Sequence, residues 1–325
     1  MGCIRIIHAG QIVGSTDMAN SNNWGEIYKS TWWGDEDWSA NSLKIDSAPP
    51  GFAFTGLLDT YTGAVAGFSL RLLTGSYTGS AIRVRRSSDD TEQDIGFNAS
   101  NELDTAALLS FVGTGGTDNG FVTTWYDQSG NGKNATNSNE SEQPKIVSGG
   151  AVTQFDSINS ILFDGSDDNF SVTMNLNTTA FSSFVVAGED GTLENTAQHL
   201  YASDNDFFSR LRNLDFESKI SASPSLIIDD DIGQTTDDML LLSVINRTSP
   251  AEGSQYLNGT IGSNSPLNTS GSGGINESTV FVGIKETALP LRGGISEMIF
   301  FASDQHDNRT GIEANINEHF SIFEP

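Results

Sequence analysis

The chain contains very little cysteine and histidine. Its single cysteine, Cys3, excludes an internal disulfide and a cysteine-based zinc cage. Its four histidines are scattered and show no metal-ligand spacing. No apolar run reaches the length of a membrane span, and the N-terminus lacks the apolar core of a signal peptide. We therefore expect a chain that is made in the cytoplasm, has no membrane partner, and leaves a cell only by a route other than ordinary secretion.

Basic residues are also scarce. The 325 residues include 16 Lys and Arg against 42 Asp and Glu, which gives a formal net charge of −26. A field of this sign repels nucleic acid and anionic membranes, so neither is expected as a partner. The same carboxylates are suitable ligands for Ca²⁺ and acceptors for sugar hydroxyls. The chain also has 34 Gly, together with many Ser, Thr, Asn and Asp, which favours turn-dense all-β structure over helices.

Tryptophan is concentrated near the N-terminus, where residues 1–50 hold four of the five: Trp24, Trp32, Trp33 and Trp38. Pro49 and Pro50 end this segment. We predict an N-terminal extension over residues 1–50 and a main domain over residues 51–325. Exposed Trp is costly in a monomer, so the four rings require a cover. Three interpretations stay open: packing onto the main domain, an assembly contact with another subunit, and contact with a ligand.

The main domain shows short apolar or alternating runs separated by turn residues, the pattern of a sandwich or barrel. Residues 81–97 indicate a hairpin, and Asn258-Gly259 is a strong short-range hairpin signal. Residues 101–112 indicate a helix with Asn101 as its N-cap, and residues 308–320 a second helix. The predicted fold is all-β with one or two short helices.

A polar loop follows the strand predicted over residues 121–126. It reads Asp-Gln-Ser-Gly-Asn-Gly over residues 127–132, a composition that suits left-handed backbone positions. In one interpretation Asp127, Gln128 and Asn131 bind a carbohydrate. In the other the loop is a tight turn whose side chains cap their own backbone.

A second acidic loop spans residues 164–169 and reads Asp-Gly-Ser-Asp-Asp-Asn. Asp164, Asp167 and Asp168 could ligate Ca²⁺, because carboxylates and carbonyls alternate within one turn. The loop lacks the EF-hand spacing, and a hairpin turn rich in Asp and Asn is the alternative. No other cofactor is expected.

Several segments together resemble a known family. F-D-G-S-D-D-N-F-S-V from Phe163, Y-L-N-G-T from Tyr256, and the closing G-G-I-S-E-M-I-F-F strand resemble a concanavalin A-like jelly roll. The segments S-A-I-R-V-R-R-S-S-D-D-T and W-Y-D-Q-S-G-N-G-K-N-A-T resemble the catalytic domain of family 54 arabinofuranosidases. They look still closer to a version of that module in tail and other virion proteins of tailed bacteriophages. The resemblance covers roughly residues 57–323 and implies a jelly-roll sandwich.

The chain departs from the arabinofuranosidases in one respect that concerns function. Those relatives are secreted and use an adjacent cysteine pair at the sugar site, whereas this chain has only Cys3. No catalytic residue is carried over, and the candidate carboxylates are Asp127, Asp164, Asp168, Glu189 and Glu297. Glu297 is notable because it lies in an apolar strand. Its alternative role is a structural carboxylate satisfied by the backbone or by Arg292.

Three functions follow from these observations. The favoured one is a bacteriophage virion structural protein of the tail or capsid surface, a non-enzyme that docks onto other virion proteins through its tryptophans. Such a protein is expected to form a homo-oligomer in the particle and to adhere to a host surface glycan. The alternatives are an arabinofuranosidase-like glycoside hydrolase and a non-catalytic carbohydrate-binding module.

Overall fold

The structure is a computed structural model. It describes residues 3–8, 11–17, 54–190, 197–203, 207–212, 215–222, 225–231, 238–270, 274–284 and 289–324. The chain divides into two compact units, Met1–Phe52 and Ala53–Pro325.

The first unit contributes one described element, an antiparallel hairpin of β1 (Cys3–His8) and β2 (Gln11–Asp17). The four N-terminal tryptophans lie outside the described residues. Their assembly role and the N-terminal extension therefore stay predictions.

The second unit contains three α-helices among its described residues: α1 (Leu57–Thr60), α2 (Thr105–Val112) and α3 (Arg309–Phe320). Its strands, in chain order, are β3 (Ala64–Ser69), β4 (Ile82–Arg86), β5 (Glu92–Ile95), β6 (Gly120–Trp125), β7 (Ala135–Thr136), β8 (Lys145–Ser148), β9 (Ala151–Val152), β10 (Gln154–Phe155), β11 (Ile158–Asn159), β12 (Ile161–Asp164), β13 (Phe170–Thr178), β14 (Phe181–Glu189), β15 (Gln198–Ala202), β16 (Phe208–Arg212), β17 (Asp215–Ala222), β18 (Ser225–Asp231), β19 (Leu240–Thr248), β20 (Ala251–Leu257), β21 (Thr260–Ile261), β22 (Leu267–Asn268), β23 (Ile275–Val282) and β24 (Arg292–Phe301).

Most strands form two antiparallel layers. In sheet A, β24 pairs with β14, β14 with β19, and β19 with β20, while β12 and β3 share the other edge of β24. Sheet B runs in the order β5, β4, β6, β7, β13, β23, β15, β16, β17 and β18. Strand β8 pairs with both β6 and β12, so one edge connects the sheets.

The main core lies between the two sheets. Phe181 and Phe300 of sheet A contact Phe207 and Tyr201 of sheet B, at centroid separations of 4.9 and 5.1 Å. The outer face of sheet A carries a second cluster, in which Ile299 packs with Ile312 and Ile316 of α3. Burial on both faces explains why β14 and β24 are almost continuously apolar in sequence. The sequence-based prediction of an all-β jelly-roll sandwich with short helices is confirmed.

The hairpin and the Asn-Gly turn predicted from the sequence agree with the observed elements. The predicted hairpin is the β4–β5 pair. Asn258 and Gly259 both have positive φ, +48° and +78°, as a two-residue turn with Asn-Gly requires.

The predicted first helix is wrong at its N-terminus. Asn101 has a φ of +64° and lies four residues before α2, whose cap is Asp104, which accepts a hydrogen bond from Ala107 N at 2.9 Å. Bridges from Glu102 to Arg71 and from Leu103 to Phe97 keep the intervening backbone extended. Within the described part of the chain, no helix has the length and apolarity needed to cross a membrane.

Candidate functional site

The loop after β6 is held together by Asp127, which is 4% exposed. Its Oδ1 accepts hydrogen bonds from Gly67 N at 2.9 Å and Ser129 N at 2.8 Å. Its Oδ2 accepts from Ser129 Oγ and Lys133 N, both at 2.9 Å. All four donors belong to the protein, so Asp127 organises the loop and ties it to β3.

Gln128 and Asn131, like Asp127, form hydrogen bonds with the backbone of the segment that includes β3. Gln128 Oε1 accepts from Leu73 N at 2.8 Å, and its Nε2 donates to the carbonyls of Ser69 and Arg71 at 3.1 and 3.0 Å. Asn131 Nδ2 donates to the Ala64 carbonyl at 2.9 Å. These bonds support the tight-turn interpretation of the sequence. Carbohydrate binding by Asp127, Gln128 and Asn131 stays a prediction.

The second acidic loop, after β12, brings three carboxylates together. Single oxygens of Asp164, Asp167 and Asp168 lie within 4.8 Å of one another. Asp164 N donates to Asp168 Oδ2 at 2.9 Å, and Ser166 N donates to Asp164 Oδ1 at 2.8 Å, so the loop is also a turn with side-chain caps. Burial, followed by the charge of Asp164, raises the pKa of Asp168 to about 7. The separations suit a divalent cation, but Ca²⁺ prefers 6–8 oxygen ligands. Ca²⁺ binding stays a prediction.

Glu297 is fully buried in β24, as its apolar surroundings in the sequence indicate. Its carboxylate accepts from Arg71 Nε at 2.7 Å, Arg71 Nη2 at 3.0 Å and Ser69 Oγ at 2.8 Å. The structural alternative was therefore right in kind but wrong about Arg292, because Arg71 supplies the charge. Arg71 lies on the segment after β3, which pairs with β24, a contact that local sequence does not reveal.

Glu189 differs from these carboxylates because it ends β14 at the margin of the main core. Only its Oε2 has a described partner, Gln198 Nε2 at 2.8 Å, and the side chain is half-buried. Burial raises the pKa of Glu189 to about 7. A carboxylic acid with this pKa can both donate and accept a proton near neutral pH.

The surroundings of Glu189 join the two sheets. Gln198 opens β15 of sheet B, and its Oε1 accepts from Arg292 N of sheet A at 2.7 Å. The Arg292 side chain forms an ion pair with Asp190, with Nε and Oδ2 3.0 Å apart. Gly188, the residue before Glu189, has no room for a side chain. A Cβ there would lie 2.3 Å from the Phe155 ring, so only glycine fits. Glu189 therefore ends its strand beside Gln198, and the Asp190–Arg292 ion pair lies on the other face of sheet A, because successive side chains of a strand alternate.

The sequence did not single out Gln198 or Asp190. Neither carries a motif: Gln198 reaches Glu189 from the opposite sheet, and Asp190 is singled out by its ion pair with Arg292, which lies far along the chain. The structure brings Glu189 together with Gln198, and Asp190 together with Arg292. On the far side of Arg292, the β12–β24 pairing places Asp164 opposite it. Asp127 and Glu297, by contrast, each sit within their own hydrogen-bond network.

The comparisons agree with the class of protein that this fold defines, a jelly-roll β-sandwich. A family profile described as "Alpha-L-arabinofuranosidase B, catalytic" matches residues 59–205, which include Glu189 and Gln198. The fold is similar to that of a GH54 α-L-arabinofuranosidase soaked with a cyclic sulfate inhibitor, at 17% identity and a TM-score of 0.59. The alignment covers 81% of this chain and 65% of that one.

A second solved structure, an arabinofuranosidase complexed with arabinofuranosyl-α-1,2-xylobiose, is similar at 17% identity and a TM-score of 0.56. It is covered over 64% of its length, against 81% of this chain. The chain thus spans less than two thirds of these proteins. No curated protein matches the sequence. These findings support a relation of residues 59–205 to the catalytic domain of α-L-arabinofuranosidase B and show a shared fold over most of the chain.

Proposed function

We propose that this protein is an arabinofuranosidase-like glycoside hydrolase in which Glu189 acts as the general acid and base. The observation that carries the proposal is the raised pKa of Glu189, about 7, within the stretch that matches the family profile. Glycoside hydrolysis needs a carboxylic acid that is still protonated at working pH, and burial is the usual way to obtain one.

The neighbours of Glu189 support this chemistry. Gln198 Nε2 donates to one carboxyl oxygen and fixes the side chain, which leaves the other oxygen available for a glycosidic oxygen. Arg292 pairs with Asp190 at 3.0 Å on the other face of sheet A, so burial alone raises the pKa of Glu189.

The test is hydrolysis of 4-nitrophenyl α-L-arabinofuranoside by the full chain. We expect turnover that falls as the pH rises through about 7, because the acid form of Glu189 is then lost. Glu189→Gln removes the titrating group while keeping the shape. It should lower kcat by about 10²-fold or more.

Asp168→Asn is the matched control, because Asp168 has a pKa also raised to about 7 but lies in the acidic turn. It should leave kcat near the parent value. Wild-type activity in Glu189→Gln would refute the assigned role. An inactive parent chain that still binds arabinoxylan would favour the non-catalytic carbohydrate-binding module.

The bacteriophage assignment has no support from the comparisons and stays a prediction, together with its virion partners, its homo-oligomer and its virion location. A hydrolase displayed on a particle would reconcile the two functions. Co-purification of the chain with intact particles is the measurement that checks it.

A further inference from the structure

Gln198, the first residue of β15, has almost no contact with solvent, and both ends of its side-chain amide are engaged. It is 1% exposed. Its Oε1 accepts a hydrogen bond from Arg292 N at 2.7 Å, and its Nε2 donates to Glu189 Oε2 at 2.8 Å. From sheet B, Gln198 therefore contacts two neighbouring strands of sheet A, β24 at Arg292 and β14 at Glu189.

The partners of Gln198 determine which way its amide points. A backbone N–H such as that of Arg292 can only donate, so the amide atom facing it must be the carbonyl oxygen. The atom facing Glu189 is then the NH₂ group, which can only donate. A proton on Glu189 Oε2 would point at this donor. The proton of neutral Glu189 therefore belongs on Oε1, for which the described residues provide no hydrogen-bond partner.

The same contact acts on the acidity of Glu189. A donor to a carboxylate favours its ionised form, so the Gln198 bond opposes burial, which raises the pKa of Glu189 to about 7. Charged neighbours do not interfere, since Asp190 and Arg292 pair with each other on the other face of sheet A. His199, the next residue of β15, packs against Phe208 on the opposite face of its strand from Gln198.

We propose that Gln198 is the positioning residue of Glu189: it assigns the acidic proton to Oε1 and keeps that oxygen free for a glycosidic oxygen. The use of this proton rests on the proposed function, but its assignment to one oxygen does not. A neutral amide suits the role because it does not compete for the proton, as a carboxylate or an imidazole does. An acid that is oriented before the substrate arrives does not have to select one of two oxygens at each turnover.

The test is a ¹³C NMR titration of the Glu189 carboxyl in the full chain, labelled at the side-chain carboxyl carbon of glutamate. The signal is assigned as the one that Glu189→Gln removes. Gln198→Met keeps the length of the side chain and removes the donor. It should raise the pKa of Glu189 by about one to two pH units above the parent value, because a hydrogen bond to the ionised form is lost.

Gln143→Met is the matched control. Gln143 is also buried, at 4% exposure, and both ends of its amide are engaged: its Oε1 accepts from Arg85 Nε at 2.8 Å and its Nε2 donates to the Asn137 carbonyl at 3.0 Å. None of these partners is a carboxylate. The variant loses a buried amide of the same kind, and the Glu189 titration should stay at the parent value.

Gln198→Glu keeps the inference testable should Gln198→Met fail to fold, because one carboxyl oxygen can still accept from Arg292 N. Its other oxygen faces Glu189 Oε2, so the two carboxyls share a proton. The pair should then release its last proton at a higher pH than Glu189 does in the parent. A Glu189 titration that stays at the parent pH in Gln198→Met and in Gln198→Glu would overturn the inference.

Hydrolysis of 4-nitrophenyl α-L-arabinofuranoside separates this inference from the proposed function. Gln198→Met should lower kcat by about tenfold or more with KM near the parent value, and the loss of activity at alkaline pH should move upward with the pKa of Glu189. A merely structural role would lower kcat without moving the pH profile, and that result would count against positioning. A shifted Glu189 titration in a chain without turnover would support the role of Gln198 and refute only the hydrolase.

Discussion

The buried ion pair between Arg71 and Glu297 gives the sharpest prediction about stability. Arg71→Met removes the charge and both guanidinium bonds at 2.7 and 3.0 Å, while a flexible apolar side chain fills much of the volume. Glu297 then keeps only Ser69 Oγ at 2.8 Å, inside a strand where it is 0% exposed.

The magnitude follows from the burial of the carboxylate. Removing one partner of a buried pair leaves an uncompensated charge, which costs about 3–5 kcal/mol. We expect the free energy of unfolding to fall by that amount. This loss is a large part of the total stability of an ordinary domain, about 5–15 kcal/mol.

Arg83→Met is the matched control. Arg83 also makes a bidentate contact to a carboxylate: its Nε and Nη2 donate to Asp94 Oδ1 and Oδ2 at 2.7 and 2.9 Å. The difference is exposure, since these two side chains are 43% and 40% exposed. An exposed pair contributes about 0–1 kcal/mol, so this variant should be close to the parent.

The assay is equilibrium urea unfolding followed by fluorescence of the buried Trp125. Arg71→Met/Glu297→Met should recover most of the lost stability, because replacing both partners by apolar groups removes the unpaired charge. Equal costs for Arg71→Met and Arg83→Met would refute the reasoning, since burial would then have no influence on the pair.

Three further predictions concern the polar loop of residues 127–132 and the acidic loop of residues 164–169. Asp127→Asn should lower the free energy of unfolding by about 2 kcal/mol or more, because an amide cannot accept all four hydrogen bonds that the carboxylate accepts. A loss of glycan binding at unchanged stability would contradict this structural role. Since the pKa of Asp168 rises from 3.8 to about 7 on folding, the folded state holds a proton that the unfolded state has lost between these values. In EDTA its contribution to stability should therefore be lost as the pH rises from about 4 to 7, and Asp168→Asn should flatten this part of the urea-midpoint profile. If Asp164, Asp167 and Asp168 ligate Ca²⁺, millimolar Ca²⁺ should raise the Tm of the parent protein. The Tm of Asp168→Asn should not change. An unchanged parent Tm would show the Ca²⁺ prediction to be wrong.

Much of the fold could be read from local sequence. The Asn-Gly step at residues 258–259 marks a turn because only such residues take positive φ without strain, and the structure has the turn there. The apolar runs of β14 and β24 mark strands that are covered on both faces. The helix over residues 101–112 was recognised, but its start was misplaced, because isolated bridges to Arg71 and Phe97 hold residues 102 and 103 extended.

Which carboxylate belongs to the candidate site could be determined only from the tertiary structure. The sequence offered five candidate carboxylates, and packing separates their roles. Asp127 accepts four hydrogen bonds within its own loop and from β3, Glu297 is paired with Arg71, and Glu189 keeps an oxygen without a described partner beside Gln198. Local sequence does determine where strands, turns and acidic loops occur, since backbone propensity and side-chain periodicity act over a few residues. The protonation and exposure of a carboxylate depend on neighbours that arrive from segments tens to hundreds of residues away, so only the assembled sandwich decides them.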